Sequence, residues 1–187
     1  MTAPAEQTIG PRLSEVVDYL LRERAELLGY VENLPPASLG VRPSEGSWSV
    51  AETLEHLAKI EGGAGRLVST LVKQAKAEDK TTQSQTSIID CLDQYRIEDG
   101  IQKFEAPDFV KPAEKLSPAA SLESLKASRV KVIEAIHKAE GWDLGRVTYP
   151  HPFIGPLTGY QWLLLIGKHE ERHLKQIKDA VRRINAA

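Results

Sequence analysis

The sequence predicts an all-α fold, a four-helix bundle with a long crossover between its second and third helices. Three observations predict it. Four stretches repeat their apolar residues at intervals of three and four, the spacing of one buried helix face. No stretch alternates with period two for long enough to make a strand. The 187 residues suit a single domain, 1–187, with helices about 35–42 Å long packed side by side.

The first helix covers about 11–34. Leu13, Val16, Val17, Leu20, Leu21, Leu27, Leu28 and Val31 form its apolar face, and Glu23, Arg24 and Glu26 its wet face; Pro35-Pro36 stops it. The second covers 49–77 and opens at Ser49 with Glu52 three residues on. That is a capping box, in which hydroxyl and carboxylate each satisfy an orphan N–H. Gly62, Gly63 and Gly65 weaken this helix by up to about 1 kcal/mol each relative to alanine, and mark a kink or the close approach of a neighbour.

Over 78–116 the periodicity fails. Residues 80–87 read as a polar loop and 88–95 as a short helix; Pro107 and Pro112 make 104–115 extended. A connection this long is unusual in a compact domain and fits a crossover between helices that do not form a hairpin. The third helix, 117–140, has Ser117 as its cap and Pro118 in first position. Leu122, Leu125, Val130, Val132, Ile133 and Ile136 follow, then Gly141. The fourth, 158–185, follows a proline-rich approach and opens with a second capping box, Thr158 and Gln161.

Composition excludes several function classes. Twenty-four basic against 26 acidic residues give a net charge of −2, so there is no basic footprint for nucleic acid. The first residues hold no apolar signal core, and no apolar run nears the roughly 18–20 residues that span a bilayer. The one cysteine, Cys91, excludes an intramolecular disulfide and fits a reducing compartment; Asp90 and Asp93 beside it raise rather than lower a thiol pKa. The expectation is a cytoplasmic protein with neither nucleic-acid nor membrane partners. There is no glycine-rich phosphate loop and no dinucleotide fingerprint.

The histidines carry the chemistry. His169 and His173 lie four apart in the last helix, so both imidazoles project from one face and can reach one metal ion. The same segment also reads as a solvated face, with Lys168, Glu170, Glu171, Arg172 and Lys175 around them. His169-Glu170-Glu171-Arg172-His173 matches the H-E-x-x-H of zinc proteases, but the remaining tail offers no histidine or glutamate as third ligand. A third ligand must come from upstream. His56 is the natural candidate, although an isolated histidine among Leu54, Leu57 and Ala58 also suits a core position. Three imidazoles leave positions for water or substrate. His151, between Pro150 and Pro152, is a turn residue or part of a pocket rim. Trp48 anchors the core or walls the pocket. Trp162 reads as a core anchor, and His137 as a cation at a helix C-terminus.

Three stretches carry a resemblance. Trp48-Ser49-Val50-Ala51-Glu52-Thr53-Leu54-Glu55-His56-Leu57-Ala58 resembles the W-[ST]-V-x-x-x-L-x-H-L start of helix two in the DinB superfamily. His151-Pro152-Phe153-Ile154-Gly155-Pro156-Leu157-Thr158 is similar to that family's H-P-x-[FW]-G-x-[ML]-T approach to helix four, with Ile154 where an aromatic is common. His169-x-x-x-His173-Leu174-x-x-Ile177 resembles its closing H-x-x-x-H. The family includes YfiT-like metal-dependent hydrolases and thiol transferases. The resemblance implies a triad of His56, His169 and His173 binding one divalent ion, nickel or zinc first, iron or manganese next. It also implies a homodimer, and a small-molecule substrate such as a low-molecular-weight thiol.

The expected function is thus metal-dependent thiol transfer or hydrolysis on a small molecule. The ion would lower the pKa of a bound water or thiol. Glu170, turned about 100° from His169, is a candidate base or supporting group, or else a surface glutamate. The alternative function is a non-catalytic stress-response binding module with the same fold.

Overall fold

The computed structural model describes residues 9–81, 85–97, 106–113 and 116–186. Residues 82–84, in the expected loop, and 104–105 and 114–115, in the expected extended segment, lie outside these. Four long helices dominate: α1 (Pro11–Val31), α2 (Val50–Ala77), α3 (Pro118–His137) and α4 (Gly159–Ala186). Both capping boxes form. The Ser49 N–H donates to Glu52 Oε2 at 2.7 Å and the Glu52 N–H to Ser49 Oγ at 3.2 Å. The Thr158 N–H donates to Gln161 Oε1 at 2.9 Å and the Gln161 N–H to Thr158 Oγ1 at 3.3 Å. α1 and α3 each stop about a turn before the sequence suggested, and a short turn takes their place.

Contacts between named residues fix the directions of the helices. Glu61 meets Ser128 and Arg129, and Gly65 lies against Val132, so α2 and α3 run parallel. Tyr19 meets Gly167, and Arg24 meets Glu170, so α1 and α4 are parallel too. Arg24 donates to the Leu125 carbonyl and Arg129 to that of Leu20, which sets α1 antiparallel to α3. The bundle is therefore up-down-down-up. Parallel neighbours cannot be joined by a tight turn. The chain must return along the whole of α2, and this is the physical reason for the long crossover. The expected helix at 88–95 is only a three-residue turn, Asp93–Tyr95.

The four-helix bundle is as expected, and a small two-stranded hairpin is added to it. β1 (Thr148–His151) pairs antiparallel with β2 (Gly155–Thr158), His151 opposite Gly155 and Pro150 opposite Pro156. They escape period-two analysis because each has four residues, and only Leu157 is fully inside.

The glycines of α2 divide by role. A Cβ on Gly65 would sit 3.2 Å from Val132 Cγ2, so this glycine admits α3; Gly62 and Gly63 meet only the far end of Arg66, and α2 is continuous through them. The interior forms two apolar clusters. One is centred on Leu20, Leu71, Ile136, Leu163 and Leu164; the other on Leu27, Leu54, Leu125 and Ile177. Between them lies a layer of charge. Arg24, expected on a wet face, is buried, as is Glu23, while Leu21 and Val130, expected inside, are about half exposed.

Candidate metal centre

α2 supplies His56 seven residues into its length, and the middle of α4 supplies His169 and His173. The antiparallel crossing of these helices brings the three rings together. Ring centroids lie 5.0 Å apart for His56–His173, 5.3 Å for His56–His169 and 4.4 Å for His169–His173. One nitrogen of each falls within 4.8 Å of the others. The Nε2 atoms of His169 and His173 are 3.2 Å apart. Two nitrogens bound at about 2.0–2.1 Å to one ion are separated by about 3.0–3.4 Å, so this spacing fits a shared cation.

His56 is oriented by its backbone surroundings. Its Nδ1–H donates to the Val110 carbonyl at 2.9 Å, which fixes the tautomer and leaves the Nε2 lone pair for a ligand. Val110 ends the turn Asp108–Val110, which opens after Pro107. No sequence signal marks a carbonyl for this task beyond the proline that starts the turn. The Trp48 ring lies 4.9 Å from the His56 ring, tilted at 48° to it.

The burial of His56 and His173 and the partial burial of His169 favour neutral rings, the protonation state a cation needs. Desolvation lowers the pKa of His56 despite the opposing hydrogen bond to Val110. It brings His169 down to about 3, with His56, Arg172 and His151 adding to the effect. It holds His173 well below the ordinary range, with the other two rings and Arg172 in the same direction. The cations Lys59 and Arg172 act on the triad in the same direction, Lys59 being shared with Glu55 at 2.8 Å.

His151 sits in the hairpin beside this centre. Its Nδ1 accepts from the Phe153 and Ile154 N–H groups at 3.3 Å each, which places its proton on Nε2. Burial lowers its pKa as well. Trp162, expected as a core anchor, is only partly buried. Its Nε1 donates to the Tyr149 carbonyl at 3.0 Å and its ring lies 5.2 Å from His151, so it braces the hairpin.

Glu170 is neither at the triad nor on the surface. It is 2% exposed, with Oε1 accepting from Arg24 Nε at 2.5 Å and Oε2 from Arg129 Nη2 at 2.5 Å. A carboxylate this buried, with each oxygen bound to a guanidinium group, is closed to a substrate, which corrects its reading as a base. Arg24 and Arg129 also hold Glu61, Arg24 at 2.8 Å. Burial alone would lower the Arg24 pKa; Glu170 and Glu61 raise it overall.

A family model, the DinB superfamily, matches residues 19–177. The chain belongs to the DinB superfamily. Among relatives, this DinB-superfamily chain is 30% identical over 168 residues to the uncharacterised protein YuaE of Bacillus subtilis, covering 88% of this chain and 96% of that one. The fold is similar to two solved structures. TT2238, a four-helix bundle protein, has a TM-score of 0.61 at 24% identity, over 89% of this chain and 98% of its own. YfiT from Bacillus subtilis, described as a probable metal-dependent hydrolase with an unusual four-helix bundle topology, has a TM-score of 0.60 at 17% identity, over 98% and 94%. No helix among the described residues is long and apolar enough to cross a membrane.

Proposed function

We propose that this DinB-superfamily chain is a metal-dependent enzyme acting on a small molecule, with thiol (S-)transfer as the leading reaction and hydrolysis next. The observation that carries the reading is the convergence of three neutral imidazoles from two helices, with His56 pre-oriented by Val110. His56, His169 and His173 would hold one divalent ion, zinc or nickel first. Such an ion, when bound, supplies Lewis acidity to an oxygen or sulfur group set against it.

The residues around it do the rest. Neutral ligands, with the cations Lys59 and Arg172 nearby, favour an anionic reacting group, such as a thiolate. Trp48 sets an apolar ring beside His56, and His151 presents an Nε2–H for a polar group of the substrate. In S-transfer a thiol loses its proton and its sulfur bonds to an electrophilic carbon. The leaving group departs with the electron pair of the broken bond. The reading includes a cytoplasmic setting, supported by the single cysteine, and a homodimer, supported by the family resemblance.

Elemental analysis tests it. Tag-free wild type and His56→Ala are each incubated with zinc or nickel and desalted. About one equivalent in wild type and a large loss in the variant are expected for a three-imidazole site. Equal, near-zero metal in both would overturn the reading.

A further inference from the structure

Arg24, Glu61, Arg129 and Glu170 come one from each helix, and all four are 7% exposed or less. Glu170 bridges Arg24 and Arg129 at 2.5 Å on each oxygen. Glu61 meets Arg24 at 2.8 Å and also takes Arg129 and the Ser128 hydroxyl. The remaining guanidinium nitrogens reach backbone: Arg24 donates to Leu125 at 2.6 Å and Arg129 to Leu20. Two positive and two negative charges cancel, and the group separates the two apolar clusters.

We propose that this clasp sets the geometry of the metal centre, with Glu170 as the positioning residue that fixes the rotation of α4 about its axis. The inference rests on the metal reading above. Buried ion pairs are weak sources of stability, because well-packed apolar residues in their place are often as stable or more so. What they do supply is direction, since a guanidinium–carboxylate fork tolerates little rotation.

The angles make this matter. At about 100° per residue, Glu170 projects about 100° from His169 and about 60° from His173, both on the same side of it. Anything that turns Glu170 turns both imidazoles by the same angle. At a side-chain radius of about 5–6 Å, a 10° turn displaces them by about 1 Å. Metal ligands work within about 0.2 Å of their ideal distance. His56 is held independently, by Val110, so α4 is the element whose rotation decides whether the three rings close on one ion.

The test is a cobalt(II) titration of metal-free protein, reading affinity and the visible ligand-field spectrum. Wild type is compared with Arg24→Met/Glu170→Met, which removes one opposite-charge pair and leaves Arg129 with Glu61, and with Glu170→Gln, which keeps size and one acceptor. Folding of each is checked by circular dichroism and denaturation. The expected result is a folded double variant with cobalt affinity reduced about tenfold or more and a shifted spectrum, and a smaller loss in Glu170→Gln. Should the double variant not fold, Glu170→Gln carries the same test alone. A folded variant with wild-type affinity and spectrum overturns this inference and leaves the metal reading standing. A wild type that takes up no cobalt overturns both.

Discussion

Acidifying the metal-free protein from pH 7 to pH 5 should remove a large share of its stability. In the unfolded chain His169 and His173 titrate near the ordinary 6.5; in the fold the first is lowered to about 3 and the second well below its usual value. Between those values the unfolded chain carries more protons, so acid favours unfolding. The contribution is fully present above about pH 6.5 and is lost as the pH falls toward about 3. For one ring with an unfolded pKa of about 6.5 that stays neutral in the fold, the step from pH 7 to 5 costs about 2 kcal/mol, and for two about 4 kcal/mol. Urea denaturation of chelator-treated protein at the two pH values measures it. The comparison is with His169→Gln/His173→Gln, which lacks both groups and subtracts every other titration. If the two proteins lose stability equally within about 1 kcal/mol, the desolvated neutral triad is wrong.

Other outcomes follow from packing. A Cβ on Gly167 would sit 2.3 Å from Tyr19 Cε1 and 2.7 Å from Cζ. Gly167→Ala should therefore force α1 and α4 apart at a cost of about 1–3 kcal/mol, measured by denaturant titration. Gly62→Ala, which meets only Arg66 at 3.8 Å, should instead raise stability by about 0.5–1 kcal/mol. Trp48→Ala removes the ring beside His56 and should leave zinc stoichiometry intact while weakening substrate binding, seen as a raised KM with kcat less affected.

The four helices were legible because amphipathic periodicity and paired caps act locally. The triad was legible because the i,i+4 pair and His56 recur in an ordered set of motifs. The charge layer was not. Arg24 and Glu170 look like solvent-facing residues in any window of their own helices, and only the assembled bundle pairs them with Glu61 and Arg129. A pattern that assigns charge to water has no way to see charges that neutralise one another across four helices. The hairpin was missed for a different reason: strands this short, with a facing pair of prolines, carry no alternation.

The hydrogen bond from His56 to Val110 uses main chain, so no side-chain replacement at position 110 deletes the acceptor. The adjacent Phe109 is 82% exposed and has no share in holding the ring. The crossover thus separates two duties that many sites combine in one residue. Its peptide path keeps the imidazole aimed, and an exposed side chain such as Phe109 can vary without moving it. The aim of the His56 ring is inherited with the backbone, while the exposed position 109 beside it stays open to point substitution.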